Sequence, residues 1–452
     1  MYKKEKSAVI SISAIMAFRM LGLFMIYPLF ASHASELQQS SAFLMGVAMG
    51  IYGLTQASLQ MPFGALSDRF GRKPIIYIGL CLFAIGSLVG VFSHSIYGMI
   101  IARALQGMGA IGSTALALVA DLTRDEFRSK AMAMMGMTIG FAFTIAMILG
   151  PIVNTWFHLQ GIFGLTAVLA VVGIVLLFKT VPKPPTLTHK ALVEQKQFKA
   201  ILHHPQLLRL NAGILILHAL LTSLFIAIPI VLTHQIYLSQ NEQIGLYVVV
   251  LLLAFVLMTP LIIIAEKKRC MKTIFISVVL GLFITLFLLF ITNFSLINIG
   301  GILLLFFTCF TVLEASLPSL VSKFAPIRLK GTAMGFYSTS QFFGIFLGGM
   351  MGGVLLSHFG VHGIFGFGMC LTFIWLCIAL SMKEPPYLST TVLPYQGNTQ
   401  QLIESLIEHR GVAEVVNRPD ENLIYLKIDR QQTNEHELRK CVEQGTLGPA
   451  LK

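Results

Sequence analysis

The chain has 452 residues, 56% of them hydrophobic and 12% charged, with a net charge of +12 and a mean hydropathy of +0.79. That composition excludes an ordinary soluble globular protein. The tail from residue 389 holds 7 Lys and Arg against 9 Asp and Glu. The basic excess therefore belongs to the apolar part, where loops under an anionic lipid leaflet account for it and no nucleic acid is needed.

Twelve apolar segments follow in chain order, at 8–32, 42–66, 75–94, 97–120, 131–154, 161–181, 208–233, 243–265, 273–292, 296–321, 333–356 and 363–382. Each is long enough to cross a hydrocarbon core of about 30 Å as a helix. Phe24, Pro28 and His33 recur as Phe225, Pro229 and His234. Gly46 recurs as Gly245, Pro62 as Pro260, and Arg128, Lys130 and Met134 as Arg328, Lys330 and Met334. An offset that stays between 198 and 201 across so many positions describes two copies of a six-helix unit. Carriers whose halves rock about a midplane site are built this way.

The connections at 32–41, 93–97, 155–160, 234–242, 293–295 and 357–362 contain no Lys or Arg. The opposite set holds Lys3, Lys4, Lys6, Arg69, Arg72, Lys73, Arg124, Arg128 and Lys130, and later Lys183 to Lys199, Lys267 to Lys272 and Lys323 to Lys330. Positive charge inside places both termini in the cytoplasm. The first segment fits a signal peptide poorly, since it is long, contains Arg19 and has a counterpart in the seventh. Cys81, Cys270, Cys309, Cys370, Cys377 and Cys441 form no C-x-x-C pair. They are expected to be packing residues, with no metal site and no cofactor.

These patterns divide the chain into a first bundle at 1–181, a linker at 182–207, a second bundle at 208–382, a second linker at 383–398 and a tail at 399–452. The first linker carries Pro182, Pro184 and Pro185. Its amphipathic stretch, with Lys196, Phe198, Lys199, Ile201 and Leu202, is expected to lie on the membrane surface. The tail reads helix 399–410, strand 412–417, strand 422–429 and helix 434–444. Leu423 to Ile428 alternates in part, as a half-buried strand does. With a preceding strand near 388–394 this is a β-α-β-β-α order, close to the ferredoxin-like plan. One lone thiol, Cys441, argues for a docking, assembly or regulatory module with a protein or ligand partner instead of metal binding.

Gly64, Leu66, Asp68, Arg69, Gly71, Arg72 and Lys73 match G-x-L-x-D-R-x-G-R-K at every specified position, between segments two and three. This resembles the signature of the major facilitator superfamily, and the resemblance covers the whole membrane part. In detail the chain is similar to the YajR-type bacterial inner-membrane transporters. The runs Phe18 to Met25, Ile51 to Gln56, Arg103 to Gly107, Asp121 to Arg124 and Gly331 to Phe342 carry that likeness, together with a ferredoxin-like tail. It implies an all-α membrane protein, twelve helices in two six-helix repeats, with a small α+β domain after them. It also implies a multi-pass protein of the bacterial inner membrane.

Gly71 allows a tight turn between antiparallel helices. Asp68 is placed to meet the positive N-terminal end of segment eleven, near Gly331 to Ala333, when the halves close on the inner side. Arg72 is expected to pair with Asp121, as the family's charge network implies. Together these residues make a conformational latch, or else only loop charges that set topology. A worn copy in the second half has Glu266 and Lys267.

Three charges stand in segment interiors, Arg19, Arg103 and Glu314. The repeat-equivalent positions hold Leu220, Ile302 or Leu303, and Thr114 or Ala115. The scaffold thus folds without them, and buried charge marks function. Glu314 is the only carboxylate within any segment, and reads either as a proton carrier or as the partner of Arg19 or Arg103. Arg103, with Gln106 and Gly107, matches the family's R-x-x-Q-G motif, to which the resemblance assigns proton transfer. His218, whose repeat counterpart is Ala17, is a relay or a packing histidine. Gln56, Tyr337 and Gln341 are candidates for the substrate cavity. Gly150 and Pro151 keep the segment-five kink of drug–proton antiporters, although Ala146, Asn154 and Thr155 replace its flanking glycines.

The expected function is secondary transport by alternating access, as proton-coupled efflux of a hydrophobic small molecule. Proton-coupled uptake of a nutrient is the near alternative. A membrane sensor or assembly protein acting through its tail is the distant one. No enzyme is expected, since neither a G-x-x-x-x-G-K-[ST] motif nor a hydrolase or redox constellation occurs.

Overall fold

The computed structural model describes residues 3–33, 37–123, 125–182, 201–326, 329–387 and 389–394, then 402–403, 406–407, 409–418, 423–429, 432–433 and 438. The linker 183–200, with Lys196, Phe198 and Lys199, lies outside the described residues, as do the side chains of Arg124, Arg128, Lys130, Arg328 and Cys441.

Among the described residues, 10 helical runs are long and apolar enough to cross a membrane. Two of them, Met134–Lys179 and Lys330–Leu380, have 46 and 51 residues, about twice what one bilayer crossing takes. Each turns back at a single residue of positive φ, His158 at 56° and Gly360 at 65°. Dividing them there restores twelve segments. Segment two is Ala42–Phe70, three Arg72–Phe92, eight Gln240–Lys267, nine Met271–Ile291 and ten Leu296–Phe324. Segment seven is Pro205–Ile230 with a final π turn at Val231–Gln235. Segments one and four are each broken, into Lys3–Phe24 and Tyr27–His33, and into Ile96–Met108 and Gly112–Leu122.

The repeat extends to the helix caps. Segments two, four, eight and ten all start from a serine whose hydroxyl accepts a backbone N–H of the first turn, at Ser41, Ser95, Ser239 and Ser295. Each cap satisfies a donor that no helical carbonyl can reach. Ser239 and Glu242 complete a reciprocal capping box.

Small residues then set how closely the helices approach. Gly344 and Gly348 of segment eleven lie against the backbone of Leu215 and Ala219 in segment seven. Gly46, Gly50 and Gly53 of segment two meet Gly349, Gly353, Phe346 and Phe342 of segment eleven. The latter contact joins the halves at the end whose loops carry no basic residue. Three further contacts close the same end. The Tyr27 ring lies 5.6 Å from Phe225, its hydroxyl is 3.4 Å from Thr222 Oγ1, and Gln240 Nε2 donates to the Pro151 carbonyl at 3.2 Å. Toward the basic-loop end Met61, Leu66 and Phe70 of segment two are exposed. There Gly331 and Gly335 of segment eleven have no described atom within 4 Å of where a side chain would begin. The described contacts between the halves thus concentrate at the uncharged-loop end.

The tail forms a three-stranded antiparallel sheet in the order β1-β3-β2, from β1 (Ser389–Pro394), β2 (Val412–Arg418) and β3 (Leu423–Ile428). Leu402 and Leu406, both helical, cover it with Leu393, Ile424, Leu426, Ile428 and Leu438. The half-buried alternation expected for Leu423 to Ile428 is corrected, because Ile424 through Ile428 are all buried. Its second face packs on the membrane part. Lys427 Nζ donates to the carbonyls of Ala325 at 2.6 Å and Lys323 at 3.3 Å, at the C-terminal end of segment ten, where a cation suits the helix dipole. Asp429 receives both Arg269 Nη1 at 3.0 Å and Nη2 at 2.5 Å, and those hydrogen bonds hold the guanidinium pKa above its ordinary value. Tyr387 accepts the Met271 N–H at 3.0 Å, with Arg269 and Lys323 over its ring at 5.2 and 5.4 Å.

Candidate functional site

Each half holds a polar cluster among the described residues. In the first half, segment two presents Tyr52, Gln56 and Gln60 on one face through their four-residue spacing. Arg19 Nη2 donates to the Tyr52 hydroxyl at 3.0 Å and to Gln56 Oε1 at 2.7 Å. Gln56 Nε2 passes the chain on to Gln60 Oε1 at 3.2 Å. Arg103 lies over the other side of Tyr52, 4.8 Å from the ring centre. Its Nη1 donates to Gln106 Oε1 at 3.1 Å, and Gln106 Nε2 to Ser87 Oγ at 2.9 Å. Both arginines are 1% exposed.

The second cluster joins segments seven, ten and eleven. Gln341 Nε2 lies 3.2 Å from Glu314 Oε1 and 2.9 Å from His218 Nε2. His218 Nε2 is 3.8 Å from Glu314 Oε2, with His218 buried and the Glu314 side chain keeping 32% of its surface accessible. The accessible part of Glu314 does not include Oε2, which is buried without a hydrogen-bond partner among the described residues. Among the described residues Glu314 makes no ion pair with Arg19 or Arg103, which belong to the other half. Of the three cavity candidates Gln56 and Tyr337 are buried, and Gln341 is half-buried.

The latch residues assemble within the first half. Gly71 adopts φ 96°, which a side chain would strain, and so lets segment three start immediately after segment two. Arg72 pairs with Asp68 one turn back, donates from Nε to Asp121 Oδ2 at 3.0 Å, and from Nη1 to Ser67 Oγ at 2.6 Å. Ser67 Oγ donates to the Gly64 carbonyl at 2.7 Å. Lys73 Nζ reaches the Val181 carbonyl at 2.7 Å, and Arg69 lies over Phe70 at 5.3 Å. Asp68 pairs with Arg72, and no contact of Asp68 with segment eleven occurs among the described residues. In the second half Glu266 pairs with Lys323 at 2.6 Å. At the kink, Gly150 sits on the backbone of Met25, where segment one is broken, and Pro151 lies inside the helix.

Tyr52, Gln60 and Ser87 are participants that the sequence reading did not name. The spacing 52, 56, 60 was a signal for the first two. Ser87 had none, since it is reached from another segment.

A model of the Major Facilitator Superfamily matches residues 12–349 and 315–419. The chain is 42% identical over 448 residues to "Inner membrane transport protein YajR" of Escherichia coli, covering 97% of this chain and 98% of that one. It is 35% identical to an "Uncharacterized transporter" of Buchnera aphidicola over 83% of this chain and 96% of the relative. Among solved structures a D-xylose–proton symporter superposes with a TM-score of 0.64 at 16% identity, over 83% of this chain and 98% of that one. With its twelve segments, its two repeats and the intact loop motif, the chain belongs to the major facilitator superfamily of secondary transporters.

Proposed function

We propose that the chain is a proton-coupled carrier of the bacterial inner membrane that exports a hydrophobic small molecule by alternating access. Both termini are cytoplasmic in this reading, so the basic-loop end faces the cytoplasm. The observation that carries it is Glu314, a carboxylate in the interior of segment ten, partly accessible along its side chain and bridged by Gln341 to His218. A carboxyl group whose described neighbours are an amide and an imidazole, with no lysine or arginine partner, can gain and lose a proton as access changes, whereas a locked ion pair cannot. His218 serves as relay, Arg103 tunes the seam from the opposite half, and the Asp68–Arg72–Asp121 network latches the inner gate. The tail is a regulatory module that docks on the second half.

Proton-coupled uptake is the second reading, favoured by Ala146, Asn154 and Thr155 in place of antiporter glycines and by the shared fold of a sugar–proton symporter. Everted membrane vesicles with an acid interior and a pH-sensitive dye separate the two. Under export, adding one of a panel of lipophilic drugs releases protons with wild type and not with Glu314→Gln. A drug panel without response, set against sugar-evoked proton movement, sinks export in favour of uptake.

A further inference from the structure

We propose that Arg19 and Arg103 form a subsite for a carboxylate on the transported molecule. The inference rests on the carrier reading and adds the chemical class of the cargo. Both guanidiniums are 1% exposed and flank one residue, Tyr52, Arg19 at its hydroxyl and Arg103 over its ring. Their other neighbours are neutral: Gln56 for Arg19, with the Phe83 ring 5.5 Å from its guanidinium, and Gln106 for Arg103. Four nitrogens, Nε and Nη1 of Arg19 and Nε and Nη2 of Arg103, have no hydrogen-bond partner.

Two cations without a buried counter-charge are costly in a low-dielectric interior, by several kcal/mol each. The scaffold does not demand them, since the second half has Leu220 and Ile302 or Leu303 at the equivalent places. If bracing segments one, two and four were their whole role, glutamine or methionine would do so without that cost. A forked guanidinium is matched by a carboxylate, which takes two parallel N–H groups and cancels the charge. Position agrees with this. Tyr52 meets Phe342 of segment eleven at 6.3 Å between ring centres, so the pair sits on the seam, where sites of two-repeat carriers lie. In the conformation described Tyr52 and Gln56 cover the arginines, and cargo reaches them as Tyr52 and Phe342 part. Cargo charge and proton are then held in opposite halves, the first by arginines and the second by Glu314.

The test is equilibrium binding to the purified full-length protein, read as a shift of its melting temperature. The probes are matched carboxylates, amides and ammonium ions on benzene, naphthalene and decane frames. At least one carboxylate is expected to stabilise wild type while its amide and ammonium partners do not. Arg19→Gln or Arg103→Gln then weakens that binding by about tenfold or more, the worth of a charge-assisted hydrogen bond. Equal or stronger stabilisation by amides or ammonium ions overturns the proposal, as does the absence of any carboxylate effect, or a carboxylate effect untouched in both variants. The wild-type comparison decides even where a variant fails to fold. No proton gradient is present, so a failure of proton coupling in vesicles and a failure here are separate results.

Discussion

Gly46 and Gly353 pack backbone on backbone across the two halves. A Cβ on Gly46 would stand 2.6 Å from the Cα of Gly353, and one on Gly353 would stand 2.9 Å from the Cα of Gly46. No side chain fits at either distance, so closure of the uncharged-loop end depends on these glycines.

Gly46→Val is therefore expected to oppose closure without harming either half alone. Overpacking costs about 1–3 kcal/mol, enough to shift the balance toward an open uncharged-loop end by roughly fivefold or more. In a cysteine-free background, Thr222→Cys, now buried beside Tyr27, should react several times faster with an impermeant maleimide added from outside. An unchanged rate would mean that something other than this contact keeps the end shut.

The Arg72–Asp121 pair, with side chains 17% and 14% exposed, lies between a surface and a buried ion pair. Arg72→Gln and Asp121→Asn should each lower unfolding stability by about 1–3 kcal/mol. The double variant should cost less than the sum, because both remove the same interaction. Strict additivity in thermal unfolding would show that the pair contributes nothing.

The tail offers a reversal of charge. Arg269→Glu sets two carboxylates facing each other where Arg269 and Asp429 now pair. Amide exchange across Leu423–Ile428 should then accelerate. Adding Asp429→Arg restores the pair and should restore protection. If the double variant stays as exposed as the single one, the docking seen here depends on Lys427 and Tyr387 instead.

Segment number and repeat were legible because each is a periodic or contiguous pattern. Apolar runs mark crossings and a nearly constant offset marks duplication, while the pairing of Arg72 with Asp121 came from the family resemblance. The distribution of the interior charges between halves was not legible. Arg19, Arg103 and Glu314 are scattered along the chain, and whether they meet depends on how the halves pack. The breaks within segments one and four escaped detection because the apolar pattern continues through them, with Gly150 supplying the space at Met25. In the tail the strands were placed well, but the burial of Lys427 was not. It comes from the carbonyls of a segment about 100 residues away, which no local pattern records.

The most direct measurement uses two spin-label pairs and pulsed dipolar spectroscopy, and needs no knowledge of the cargo. One pair, at Trp156 and Tyr237, reports the uncharged-loop end, where both residues are exposed. The other, at Arg69 and Lys268, reports the basic-loop end. If protonation of Glu314 drives alternating access, lowering pH from about 8 to about 5 shortens one distance as it lengthens the other. Glu314→Gln, a neutral mimic of the protonated acid, should hold the low-pH distribution at every pH. Distances that ignore pH in wild type, or a Glu314→Gln protein that still follows pH, would contradict a mechanism run by that carboxylate.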